Sequence, residues 1–343
     1  MNFSNIACIC FALFTANHSW AQTPDFAQFF ISEGAGLWAG RVYYGAELAR
    51  TPDAPCQTTK LQPQQLQAVD QEGGIVRRLK GPQFAPPDPA TAQTKSLENF
   101  EAIALSAAKA LRFACVTVNL APVADTQPAL DATPEADIYI HRGYASEPAL
   151  AGQYASAFSS AMRSGGVVPT WKHFPGHSSS TRIMQASDLS DQRWFPAGHK
   201  EAAVDHASQQ HLANVSKAFN SNMPAFLLLS VAIFKSYGNQ PAVLSPELVA
   251  MARTAQPNAL LVADDVATLV LSDDDLLQIF INVDLIISSR QAVTVSLLQR
   301  LEQLKKQGRI TDALLQDKLV KQTHWRKNFN ALAVIVFNMS LAR

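Results

Sequence analysis

Short, β-rich apolar runs alternate with longer stretches of helical character along most of this 343-residue chain. The runs read LWAGRVYYG, LQAVDQEGG, CVTVNLAPVAD, GVVPTWKHFPG, AFLLLSVAIF, ALLVADDV and VDLIISS. Between or after them lie SLENFEAIALSAAKALRFA, EPALAGQYASAFSSAMRS, SPELVAMARTA and AVTVSLLQRLEQLKKQG. Strands apolar on both faces need cover on both sides, and helices flanking a parallel sheet supply it. Composition agrees: 48% of residues are hydrophobic and 16% charged, against the ~25% charged of an ordinary domain. Seven strands are readable; ALAVIVF, residues 331–337, is an irregular candidate for an eighth.

Where the polar residues fall decides between a barrel and an open sheet. They cluster at the C-terminal ends of the runs: Asp70-Gln71-Glu72, Asp125, Lys172-His173 and Asp264-Asp265. A (β/α)8 TIM-type barrel brings all its strand C-termini to one face, so these separate clusters would meet in one pocket. An open doubly wound sheet would gather fewer, and would carry a Gly-rich phosphate turn that is absent from the sequence. The expected architecture is therefore a (β/α)8 barrel with an irregular or missing eighth strand. GPQFAPPDPATAQ, residues 81–93, reads as a Pro-rich loop over one side of the pocket, and SDLSDQRWFPAGHKEAAVDH as a long excursion able to form a lid.

Lys+Arg and Asp+Glu both number 28, so no net charge favours nucleic acid or an anionic membrane. The N-terminal run IACICFALFTA is too short to span a bilayer. It is followed by NHSWAQTPDF, in which Ser19 and Ala21 suit a cleavage site. This predicts a signal peptide over 1–21, although MNFSN has no Lys or Arg; the alternative is a buried N-terminal segment. A single domain over 22–343, a periplasmic or secreted location and a monomer are then expected. No membrane segment would remain after signal removal. Cys8 and Cys10 would leave with the signal. Cys56 and Cys115 could form a disulfide, or Cys115 could be a buried thiol in its apolar run.

A pocket holding carboxylates, a lysine, arginines and histidines suits carboxylate chemistry on a polar substrate. Glycoside hydrolysis needs one carboxylate at an oxocarbenium-like centre and a proton donor for the leaving oxygen. Sugar hydroxyls need charged hydrogen-bond partners. A metal-dependent reading would use His173, His177, Asp70 and Asp264, but the sequence has no HxH pair to anchor it, and Lys172 would repel a cation.

VDQEGGIVRRL, LAPVAD, HRGYASEP, KHFPGHSSS, PAVLSPELV and LLVADDV occur in the order and spacing of glycoside hydrolase family 3. The chain resembles the single-domain β-N-acetylglucosaminidase (β-N-acetylhexosaminidase) branch over roughly residues 30 to 330. The resemblance implies a (β/α)8-type barrel, no cofactor or metal, and a saccharide substrate. It implies retaining cleavage of terminal β-linked N-acetylglucosamine or a related hexosaminide, with Asp264 as nucleophile. Asp70, Arg78, Arg142, Lys172 and His173 match positions that hold the sugar. A surface arginine is the alternative for Arg142, and a turn aspartate for Asp70. Asp265 reads as a cap for the following helix. Glu72 and Asp125 read as structural groups bonding loop backbone, and His177 as a loop brace.

One part of the family pattern is missing. After KHFPGH the branch continues to an Asp-X-His pair whose histidine is the general acid/base. Here the loop reads SSSTRIMQASDLSDQ, with Ile183 and Gln185 at those places. The run PAFLLLSVAIFKSYGNQPAVLSP also departs, since the family often has a His near Val231 and an Asp near Gly238. Asp188 is the replacement acid/base expected first, with Asp191 next. His199, His206 and His211 lie further along, at a spacing that suits a solvated helix face. Two other readings stand beside this one: slow hydrolysis confined to good leaving groups, since general acid catalysis is worth roughly 10²–10⁴-fold, and a non-catalytic sugar binder.

Overall fold

The computed structural model describes residues 26–33, 39–43, 56, 65–127, 141–177, 182–184, 187, 189, 193–196, 203–205 and 226–341. Eight parallel strands close into a barrel. In chain order they are β1 Phe30–Ser32, β2 Gly40–Tyr43, β3 Leu66–Val69, β4 Val118–Asn119, β5 Val168–Phe174, β6 Phe226–Leu229, β7 Leu260–Ala263 and β8 Leu285–Ser288. Each pairs with its chain neighbours, and β1 closes the ring on β8 through Phe30↔Ile286, Ile31↔Ile287 and Ser32↔Ser288.

The eighth strand is therefore present and regular, and it precedes the seven readable runs. Residues 331–337 instead continue the last helix, α6 (Asp312–Leu341). The sequence FAQFFIS around β1 is mostly apolar without alternation and opens in a single 3₁₀ turn, Phe26–Phe29. It presents no period-2 signature to read.

Alternation within each strand separates two cores. Ile31, Val42, Ala68, Val118, Val168, Phe226, Leu228, Leu260, Val262, Leu285 and Ile287 fill the barrel interior as one buried cluster. Their outward neighbours, among them Phe30, Val69, Leu227, Leu229, Leu261 and Ile286, join the larger layer beneath the helices. Truncating one interior residue, such as Leu228→Ala, costs about 2–5 kcal/mol because the closed ring cannot collapse onto the void.

Around the barrel run α1 (Leu97–Phe113), α2 (Pro148–Ser164), α3 (Pro246–Ala255), α4 (Asp273–Asn282), α5 (Gln291–Lys306) and α6. Their starts follow from the sequence. Ser96, Glu147 and Ser245 accept first-turn amides, and Ser272 with Asp275 forms a capping box. At the N-terminal end of the barrel, Trp325 of α6 packs on Phe226 at 4.8 Å. There Asp284, buried just before β8, accepts from Leu261 N and pairs with Arg253 of α3 and Lys321 of α6. Burial pushes the Asp284 carboxyl up, but the bonds and charges of Arg253 and Lys321 outweigh it and hold the group below its ordinary value. Cys56 and Cys115 form a disulfide, so Cys115 is not a free thiol.

Candidate active site

The inward rows of the barrel end in polar residues at the C-terminal mouth. Asp70 follows Leu66 and Ala68, Lys172 follows Val168 and Thr170, and Asp264 follows Leu260 and Val262. Period-2 alternation places all three on the side of the strand that faces the barrel axis. Residues more than a hundred positions apart thus form one layer above the apolar interior.

Lys172 is the hub. Its Nζ lies 2.8 Å from Asp70 Oδ1 and 2.6 Å from Glu72 Oε1, and its side chain is almost fully buried. Burial disfavours its charge, but Asp70 and Glu72 more than offset that and raise the ammonium pKa. Arg142 grips Glu72 through both carboxylate oxygens, Nε at 2.9 Å and Nη2 at 2.8 Å. Arg78 stands 3.6 Å from Asp70 and is the most exposed member of the set. Burial pushes Glu72 up, yet Lys172 and Arg142 together hold it at about 2. Among the described residues Glu72 bonds Arg142 and Lys172 and no loop backbone, unlike the role its place in the sequence suggests. It is the anion that two buried cations share. Arg142, correspondingly, is no surface arginine: its side chain is 13% exposed.

Gln71, which the sequence shows only as a member of the Asp70-Gln71-Glu72 cluster, has a role of its own. Its side chain accepts from Arg78 N and Leu79 N and donates to Leu79 O and Phe84 O. It thereby fixes the turn that presents Arg78. The preceding Gly73, at φ 96°, could not carry a side chain, because a Cβ would lie 2.4 Å from Pro87 O. The Pro-rich segment thus packs directly against the hairpin that follows β3.

On the other side of Lys172, His173 Nδ1 lies 3.1 Å from Asp125 Oδ2. Asp125 also accepts the amides of His173 and His177, the second at 2.9 Å. This carboxyl does bond loop backbone. Burial raises Asp125 to about 7. Burial, with His177, Arg142 and Lys172 adding to it, holds His173 well below its ordinary value. Burial there favours the uncharged form of the ring. His177 stacks on it at 4.7 Å and bonds Ser230 Oγ through Nε2.

Asp264 begins where β7 ends. Its amide donates to Leu229 O on β6, and its Oδ1 accepts the amide of Asp265. Asp265 turns away and caps the 3₁₀ turn Val266–Thr268, also accepting Ser289 N. Burial raises Asp264 to about 6; the Asp265 amide, Lys172 and His177 act against the rise, and the Asp265 charge adds to it. Asp264 is thus a buried carboxylate pushed up to about 6, within the field of the Lys172 ammonium.

The segment after β5 differs from a free lid where it is described. Arg182–Met184 pairs antiparallel with Ala203–Asp205, which pairs in parallel with Ile233–Phe234. Ile183 is therefore a ladder residue opposite Val204. Trp194 and Phe195 are buried, and Trp194 O accepts Val270 N. Asp188, Asp191, Gln185, His199, His206 and His211 lie outside the described residues, as do residues 1–25. Among the described residues no cluster of three His, Cys, Asp or Glu could hold a metal ion.

A closed (β/α)8 barrel with a buried carboxylate–lysine–arginine network at its C-terminal mouth defines the class: a TIM-type α/β barrel with a charged layer at the end where its strands finish. The glycosyl hydrolase family 3 N-terminal domain matches residues 44–323, and the chain belongs to that family. Over 112 residues it is 36% identical to beta-hexosaminidase LpqI of Mycobacterium tuberculosis, covering 32% of this chain and 28% of that protein. It is 27% identical over 213 residues to a beta-hexosaminidase of Photobacterium profundum, 61% of this chain and 58% of the relative. These matches span less than two thirds of either relative.

The solved structure of M. tuberculosis LpqI superposes with a TM-score of 0.70 at 20% identity, over 87% of this chain and 91% of that one. A family 3 β-N-acetylglucosaminidase from Paenibacillus sp. gives 0.71 at 20%, over 91% and 63%. Both confirm the barrel.

Proposed function

We propose that the protein is a retaining glycoside hydrolase that removes terminal β-linked N-acetylglucosamine, or a related hexosaminide, from saccharides such as cell-wall fragments. The observation that carries this reading is Asp264, a buried carboxylate at the end of β7, in the same inward layer as the Lys172–Asp70 pair. Asp70, Arg78, Lys172 and His173 would hold sugar hydroxyls. Arg142 would act on the sugar from its fixed place beside Glu72. A sugar bound there would exchange water for ready-aligned charged partners at little ordering cost.

In the first step Asp264 attacks the anomeric carbon while the aglycone oxygen leaves, and a covalent glycosyl-enzyme forms. Water then attacks the same carbon and releases the sugar with its configuration retained. Asp188 is the residue we propose as proton donor to the leaving oxygen. A retaining site needs that carboxyl ~5–5.5 Å from Asp264.

The sequence at the family's Asp-X-His places, Ile183 and Gln185, favours a second reading, a catalytically impaired or non-catalytic sugar binder, and Ile183 sits in a backbone ladder opposite Val204. Hydrolysis of a chromogenic β-N-acetylglucosaminide and of a muropeptide-type disaccharide, with Asp264→Ala as control, separates the two. Turnover of both, lost in the variant, supports a working acid. Turnover of the chromogenic sugar alone supports an impaired one, and binding without turnover overturns the hydrolase reading. The location we propose is periplasmic or extracellular; among the described residues no helix is long and apolar enough to cross a membrane. Cell fractionation tests it.

A further inference from the structure

The two oxygens of the Asp264 carboxylate are not equivalent. Oδ1 accepts the amide of Asp265 at 2.8 Å, whereas Oδ2 has no hydrogen-bond partner among the described residues. The backbone of Asp264 is fixed as well, since its own amide donates to Leu229 O on β6 at 2.9 Å. A carboxylate held at its backbone and at one oxygen presents the other oxygen in one direction.

What keeps the Asp265 amide on that oxygen is the Asp265 side chain. Its Oδ1 accepts Ser289 N at 2.8 Å and Ala267 N at 3.1 Å. Ser289 is the first residue beyond β8, so one of these bonds crosses from the end of β7 to the end of β8. The Asp265 carbonyl accepts Thr268 N at 3.1 Å and Thr268 Oγ1 at 2.7 Å, and Arg290 Nη2 holds Ala267 O at 2.6 Å. With its side chain and its carbonyl both fixed, Asp265 cannot turn its N–H away from Asp264. A cap for the 3₁₀ turn needs only the Ala267 bond. The Ser289 bond serves a different end: it anchors the turn to the next strand of the barrel.

We infer that Asp265 is a positioning residue for Asp264: bonded across to β8, it holds its own amide on Asp264 Oδ1 and so presents Oδ2 as the oxygen that attacks. The inference rests on the reading of Asp264 as nucleophile. A bond then forms from Oδ2 to the anomeric carbon, and the bond from that carbon to the aglycone oxygen breaks. The departing oxygen keeps the electron pair and takes the proton of the site's acid. Both Asp265 side-chain bonds go to Oδ1, and its Oδ2 has no bond among the described residues. An asparagine can therefore do the same work, because placement and not charge is what the residue supplies.

The test is covalent labelling of the full chain by a 5-fluoro-β-N-acetylglucosaminyl fluoride, whose fluoride leaves without a proton. Mass spectrometry of the peptide carrying Asp264 follows the adduct with time. In Asp265→Ala the labelling rate at saturation should fall about tenfold or more, because a small misplacement of a reacting atom costs up to ~10²-fold. The half-saturating concentration should stay unchanged, since the residues that grip the sugar are untouched. Asp265→Asn should restore the wild-type rate. Asp265→Ser, which still caps the turn but is too short to reach Ser289 as well, should lose rate like alanine and decides the matter should alanine fail to fold. A residue that only stabilises the turn would lower the melting temperature of the variants and leave the saturated rate alone, which overturns the inference. So does an asparagine variant as slow as alanine, or a loss confined to half-saturation. An adduct absent from Asp264 in the wild type fells the nucleophile reading and the inference together, whereas a wild-type adduct with unchanged variant rates fells the inference alone.

Discussion

Glu72→Gln tests the claim that two buried cations share one anion. The carboxyl is lowered from an ordinary 4.5 to about 2, which at ~1.4 kcal/mol per pH unit is about 3 kcal/mol of stability. A glutamine of the same shape removes that contribution and leaves Arg142 without its bidentate partner and Lys172 with Asp70 alone. Because the folded pKa is depressed, the contribution is complete above pH 4.5 and is lost as pH falls towards 2. Urea denaturation at pH 7 should therefore place the variant about 3 kcal/mol below wild type. With ~2.1 cal/mol/K per residue over the chain, its melting temperature should fall by about 4–5 °C. At pH 3.5 the gap should narrow by about 1.4 kcal/mol, because wild type has begun to lose what the variant never had. Stabilities equal within ~0.5 kcal/mol at pH 7, or a gap that ignores pH, would refute the shared-anion account.

The Asp264 carboxyl ionises at about 6. If it attacks as an anion, kcat/KM on an aryl β-N-acetylglucosaminide should fall roughly tenfold per pH unit below that value. A limb near pH 4 would detach it from catalysis. Asp284→Asn leaves Arg253 and Lys321 facing a neutral group at the barrel's N-terminal end. Breaking such a buried pair costs about 3–5 kcal/mol, and chemical denaturation at pH 7 reads it; the gap to wild type should shrink on acidification, since the native carboxyl is held low. Cys56→Ser opens a link spanning 59 residues. Loop-closure entropy values such a link at about 4 kcal/mol, so a melting point that is the same with and without reductant would show the bond to be idle.

Much of this was legible in the sequence because the barrel writes itself as alternation. Polar clusters at the C-terminal ends of the apolar runs, Asp70, Lys172 and Asp264 among them, predict both the closed sheet and the meeting of those residues at its mouth. Two elements escaped for opposite reasons. β1 is only three residues, Phe30-Ile31-Ser32, too short to show alternation, and is stabilised by pairing to β8 and β2 rather than by any local pattern. Residues 331–337 have strand-like β-branched content but extend a helix already under way from Asp312, so helical continuity outweighs propensity. Glu72 was misread because its partners lie 70 and 100 positions away, a distance that only the ring topology closes.

The way the ring closes also orders its assembly. β1 and β8 are the chain's first and last barrel strands, and each is the other's missing neighbour. Until residue 288 has been made, an emerging chain holds an open parallel sheet whose two raw edges face solvent. The stopper at the base comes later still, since Trp325 and the Arg326 bond to Ala39 O lie past the family-matched residues. Such long-range closure slows folding and prolongs the exposure of those edges. A chain cut at residue 323 would keep every strand and every mouth residue, yet leave Phe226 at the floor of the barrel uncovered.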